Sequence, residues 1–140
     1  QKNMVIVDGY NLIHSDDYLQ NTALFSLEKA REELMDMLSS YVSYTKTELL
    51  LVFDAYLVKD GEGSEFTHDG YRVVFTKADQ TADAYIEALV SQIGTNYNLR
   101  VATSDSLVQL SSLRGGVLRM SARELKAELE QAHREMKQHY

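Results

Sequence analysis

Met4-Val5-Ile6-Val7-Asp8-Gly9-Tyr10-Asn11 is the stretch on which the reading of this chain turns. Its run of consecutive apolar residues predicts a strand buried on both faces, as in the middle of a parallel sheet. The run breaks at Asp8-Gly9, a turn signal. In open α/β sheets, ligands sit beyond the carboxyl ends of the strands, so Asp8 stands where such folds do chemistry. Taken alone, an Asp-Gly pair is more simply a turn. Its weight comes from other strands of the chain that end the same way.

Working outward, Leu12 to Phe25 has no clean period and reads as a loop with room for a short helix. Ser26 then caps a helix whose apolar face is Leu27, Ala30, Leu34, Met37, Leu38, Tyr41 and Val42. Glu48 to Phe53 is a second buried strand and stops at Asp54. The polar stretch from Ala55 to Gly70 carries three of the seven glycines and reads as a long loop, a type more often functional than decorative. Tyr71 to Phe75 is a third strand. Asp79 or Thr81 starts the next helix, with Ala82, Ile86, Leu89, Val90 and Ile93 as its stripe and Gly94 at its stop. Leu99 to Ala102 is a fourth strand and leads into Thr103-Ser104-Asp105. A helix is expected over Ser106 to Leu113, then a brief fifth strand at Val117-Leu118. Ser121 and Glu124 make a capping box for the last helix, with Met120 stapled to Leu125. Strands alternating with helices predict a three-layer α/β/α domain around a parallel sheet of about five strands, one domain over residues 1–140.

The strand ends share a feature. The first stops at Asp8, the second at Asp54 and the fourth at Asp105, while the third is followed by Asp79 and Asp83 at a helix start. A parallel sheet puts all its carboxyl ends on one edge, so these distant aspartates gather there. Asp79 is adequately explained as a cap; Asp83, one turn further on, is not. Crowded carboxylates disfavour their own ionisation unless a cation compensates. Hard oxygen donors suit Mg²⁺ or Mn²⁺, and such sites support phosphoryl transfer by metal-activated water. A merely solvated rim of aspartates is the competing explanation.

Composition narrows the field further. The 140 residues have no cysteine, which excludes disulfides, zinc–thiolate sites and thiol nucleophiles and fits a reducing cytoplasm. No apolar run is long enough for a bilayer, so no membrane partner is expected. The formal net charge of −7 argues against a broad basic face that coats nucleic acid. Residues 100–123 nevertheless hold four arginines and one acid, Asp105, so phosphates would be held locally, near that stretch.

Several of these segments resemble a known family. Val7-Asp8-Gly9-Tyr10-Asn11-Leu12-Ile13 resembles the opening signature of NYN domains, which belong to the PIN-like metal-dependent ribonucleases. Val52-Phe53-Asp54-Ala55, Thr81-Ala82-Asp83 with Ile86-Glu87, and Ala102-Thr103-Ser104-Asp105 match the later motifs in order. Arg119-Met120-Ser121-Ala122-Arg123-Glu124-Leu125 points to the YacP-like bacterial branch. The resemblance spans nearly the whole chain. It implies a PIN-like fold and a cytoplasmic endoribonuclease that cuts single-stranded RNA, mRNA on the ribosome, with Mg²⁺ or Mn²⁺ and no nucleotide cofactor. It further implies that Asp8, Asp54, Asp83 and Asp105 are the catalytic, metal-binding acids, with Asn11 fixing the loop or a metal-bound water. One departure stands out: many relatives carry a further acid just after the last aspartate, where this chain has Ser106 and Leu107.

Secondary candidates are weaker. Tyr10, Tyr56 and Tyr71 lie near strand ends, where aromatic rings can stack on bases, although core or rim packing is the better explanation of each taken alone. Lys59, Arg72, Lys77, Arg100 and Arg114 are candidate phosphate contacts. His14, His68, His133 and His139 read as surface or loop residues, and Ser104 and Ser106 lack a histidine partner. Two other functions stay open. One is a catalytically silent PIN-like module that binds RNA or the ribosome. The other is a receiver-like domain phosphorylated on Asp54, which would want paired acids after the first strand and a lysine after the last; the chain has neither.

Overall fold

A computed structural model describes residues 2–55, 62–93, 97–103 and 117–138. Strands β1 (Lys2–Asp8), β2 (Glu48–Phe53), β3 (Ser64–His68), β4 (Tyr71–Phe75), β5 (Tyr97–Ala102) and β6 (Val117–Met120) form one sheet in the order β3-β4-β2-β1-β5-β6. All neighbours are parallel except β3 and β4. The opening apolar run does lie at the centre, with β2 on one side and β5 on the other.

Side chains alternate across the sheet. Val5 and Val7 face one cluster, with Leu49, Leu51, Phe53, Leu34, Leu38, Leu125 and Leu129. Ile6 faces the other, with Leu50, Val52, Val101, Ile86 and Val90. The first cluster is covered by α1 (Gly9–Ser15), α2 (Asp17–Phe25), α3 (Leu27–Thr45) and α5 (Ala122–Gln138), the second by α4 (Ala82–Gln92). This is the expected three-layer arrangement, with a sixth strand added.

The extra strand lies inside the stretch expected to be a long loop. β3 pairs antiparallel with β4 through a turn at Asp69-Gly70, both with positive φ. Its residues Ser64 to Thr67 are exposed, so an edge strand here has no apolar alternation to announce it. Leu12 to Phe25 likewise forms two helices. Asp16 separates them and caps the second, its carboxylate accepting from the Leu19 N–H at 2.9 Å. The three main helices start where capping chemistry places them. Ser26 accepts from Lys29 N–H at 3.1 Å, and Thr81, not Asp79, accepts from Ala84 N–H at 3.0 Å. Ser121 and Glu124 exchange reciprocal bonds of 3.1 and 3.0 Å, while Met120 and Leu125 are buried in one cluster, as a staple requires. The helix expected over Ser106 to Leu113 lies outside the described residues.

Candidate functional site

Asp8 ends the central strand and begins α1 at once. Its backbone is extended while its side chain caps the helix, Oδ1 accepting from the Asn11 N–H at 3.4 Å. This sharp strand-to-helix turn is possible because the next residue is glycine. A Cβ on Gly9 would lie 2.4 and 2.6 Å from ring atoms of Phe53. That ring is fully buried, 5.0 Å from Tyr10 and 5.2 Å from Phe75 between centroids.

The register of β1 with β5 pairs Val7 with Ala102, which brings Thr103 level with Asp8. Thr103 is buried, and its hydroxyl donates to Asp8 Oδ2 at 3.3 Å. Asp54 follows β2, and its Oδ2 accepts from the Ala82 N–H at the start of α4, 3.1 Å away. Thr76 ties the same edge together. Its hydroxyl oxygen accepts from Ala55 N–H at 2.9 Å and donates to the Gln80 carbonyl at 2.8 Å, fixing the entry into α4. Asp83 sits in the first turn of that helix.

Asp8 feels the other two carboxylates. Burial pushes the Asp8 carboxyl from 3.8 up to about 6, with the negative charges of Asp83 and Asp54 adding to it and the bonds from Asn11 and Thr103 opposing it. The structure brings Asp8, Asp54 and Asp83 to one rim. Asp105 lies outside the described residues. Asn11 borders the rim, and the bond it gives to Asp8 comes from its backbone.

The donor set is all carboxylate oxygen, which suits a hard divalent cation, and a cation there would offset both the burial and the neighbouring charges that raise Asp8. Among the described residues no three acidic or histidine side chains stand close enough to chelate an ion as a group. Asp8, Asp54 and Asp83 thus suit such an ion in donor chemistry and charge, and as placed they do not form a chelating group.

The expected RNA contacts fare differently. Tyr10 is 5% exposed, packs on Phe53 and takes a bond from Arg31 at 3.0 Å, so it has no open face for a base. Tyr71 is also buried, its hydroxyl donating to the Met35 carbonyl at 2.6 Å. Arg100 points at the α3–α5 side, held by Glu128 at 2.6 Å and Tyr41 at 3.2 Å, and so serves the fold. Arg72 is paired with Glu65 across the outer hairpin, near the start of β4 and away from the carboxyl edge. Lys77 is exposed just past the end of β4, beside the rim. Lys59, Tyr56 and Arg114 lie outside the described residues. Sequence reasoning missed Thr103 and Thr76. The signal for Thr103 was its position: it follows a buried strand that neighbours the one ending in Asp8.

An α/β domain with aspartates gathered at the carboxyl edge of a mostly parallel sheet is consistent with a nuclease-type domain. A family model for the YacP-like NYN domain matches residues 5–140, and the chain belongs to that family. It is 39% identical over 132 residues to "Uncharacterized protein YacP" of Bacillus subtilis (strain 168), covering 94% of this chain and 77% of the relative. The crystal structure of Rae1 (YacP) from Bacillus subtilis superposes with a TM-score of 0.80 at 38% identity, covering 97% of this chain and 78% of that one. The W164L form of the same protein also gives a TM-score of 0.80, at 35% identity over 97% of this chain and 80% of that one. Among the described residues no helix is long and apolar enough to cross a membrane.

Proposed function

We propose that this chain is a metal-dependent endoribonuclease that cleaves single-stranded RNA, with mRNA on the ribosome as its setting and Mg²⁺ or Mn²⁺ as its cofactor. The observation that carries the reading is the convergence of Asp8, Asp54 and Asp83, from the end of β1, the end of β2 and the first turn of α4, on one rim, where the charges of Asp83 and Asp54 add to the burial that raises the Asp8 carboxyl. Those three, with Asp105, would hold the cation, which when bound supplies a Lewis acid for water activation and leaving-group stabilisation.

The chain's own residues supply orientation. Thr103 and the Asn11 N–H fix both oxygens of Asp8, and the Ala82 N–H fixes one oxygen of Asp54. No histidine or nucleophilic side chain is needed. The formal charge of −7 makes free RNA a poor ligand, so a larger assembly such as the ribosome would supply the affinity.

The test is cleavage of single-stranded RNA with Mn²⁺ by the parent chain, Asp8→Asn and Asp83→Asn. Cleavage by the parent alone supports the reading, and equal cleavage by all three removes it. Co-sedimentation with ribosomes at moderate salt tests the setting. Tight, sequence-selective binding to naked RNA counts against it.

A further inference from the structure

Beside the carboxylate rim lies a second feature of opposite charge. A cleft of about 300 Å³ opens between α1 and the β6–α5 junction, lined by Asn11, Ser15, Thr103, Arg119, Ser121 and Arg123, with Ala122 between the last two. Two of these residues are the ones that bond Asp8, so the cleft begins at that carboxylate. Among the described residues its lining holds two arginines and no acid. The neighbouring hollow, which Arg123 also lines, is of mixed charge: Asp16, Asp17 and Glu130 stand there with Arg123 and Lys126.

We propose that this cleft is a phosphate subsite that seats a backbone phosphate of the RNA strand adjoining the one at Asp8, with Arg123 as its principal contact. The inference rests on the nuclease reading for its substrate and on the cleft for its chemistry. Arg123 is exposed and forms no ion pair among the described residues. Its guanidinium offers the planar fork that suits a phosphate. Arg119 adds a second positive charge and also helps hold the Glu124 carboxyl low, after the two bonds from Ser121. The helix start itself is already satisfied by the Ser121–Glu124 box, so the arginines, not the helix end, define the subsite. In a chain of net charge −7, cations grouped beside the acidic rim would steer the strand into one direction across it.

The probe is phosphate chemistry without cleavage. Metal-free protein labelled with ¹⁵N is titrated with inorganic phosphate, adenosine 5′-monophosphate and unphosphorylated adenosine. Amide shifts confined to Ser15 and Ser121 to Arg123, driven by both phosphates and not by adenosine, are expected. Arg123→Gln should weaken them about tenfold, while Lys137→Gln, which removes the same charge at the far end of α5, should leave them unchanged. For single-stranded RNA, Arg123→Gln should lower the slope of log affinity against log salt by about 1. Absent shifts in the parent, or shifts indifferent to Arg123→Gln, overturn the subsite. Cleavage without phosphate shifts sinks the subsite alone, whereas phosphate shifts without cleavage sink the nuclease reading alone.

Discussion

Replacing Asp8 with asparagine should make the metal-free protein more stable while abolishing its proposed activity. The folded Asp8 carboxyl titrates near 6 rather than 3.8, because burial and the charges of Asp83 and Asp54 disfavour its ionised form. A group raised on folding binds its proton more tightly in the native state, so stability falls as pH rises from about 4 to about 6 and is level above that. At about 1.4 kcal/mol per pH unit, the full penalty at neutral pH is about 3 kcal/mol. Asparagine keeps an oxygen to accept from either Asn11 or Thr103 but loses the strength of charge-assisted bonds, so a net gain of about 1–2 kcal/mol is expected. For a chain of this size that corresponds to roughly 3–6 °C in Tm. The assay is calorimetric melting from pH 4 to 8 in chelator, parent against variant. The difference should open between pH 4 and 6 and stay constant above 7. Adding Mn²⁺ should then stabilise the parent and not the variant, reversing their order. A variant no more stable than the parent at pH 7.5, or a difference independent of pH, refutes the electrostatic account of the site.

Other perturbations separate support from chemistry. Gly9→Ala places a methyl group into the fixed Phe53 ring, and thermal melting should show a loss of about 1–3 kcal/mol together with reduced cleavage, because α1 and Asp8 shift as a unit. Thr103→Val removes the hydroxyl that orients Asp8 and should raise the Mn²⁺ concentration needed for half-maximal cleavage by about 10- to 100-fold with little change in fold, read from a metal titration. Arg100→Met breaks a half-exposed pair with Glu128 and should cost about 1 kcal/mol or less in denaturant unfolding while leaving RNA affinity at its parental value.

What the sequence made legible follows from how many residues report the same fact. β1 and β2 are apolar on both faces, so their burial and central place needed no partner to be known, and their terminal aspartates came with them. β3 was not legible because an edge strand with Ser64 to Thr67 in solvent carries no alternation; only its pairing with β4 defines it. The helices before Ser26 were hidden for a related reason. α2 buries only Leu19, so it has no apolar stripe to count. Tyr10 and Arg100 show a third limit. Residue type marked them as RNA contacts, whereas the distant Arg31 in one case and Tyr41 with Glu128 in the other commit them to contacts within the fold, and such pairings across many residues of chain leave no local trace.

The carboxylate rim and the arginine cleft share a structural cause. β1 and β5 run parallel and in register, so the residue after each strand lands beside the other, which is why Thr103 touches Asp8. β6 extends the sheet from β5, pairing Met120 with Ala102, and its end delivers Ser121 to Arg123 next to Thr103. Three consecutive sheet edges therefore set, side by side, an acid, a neutral hydroxyl that holds it, and a basic cleft. For a phosphodiester strand, that order repels the backbone at the rim unless a cation is held there and attracts it one step away. On the proposed reading binding and cleavage fall on different residues, and the two should fail separately: Asp8→Asn should leave phosphate shifts at Ser121 to Arg123 in place, and Arg123→Gln should leave Mn²⁺ stabilisation in place. If either substitution abolished both readouts in a folded protein, the division of labour along this edge would be wrong.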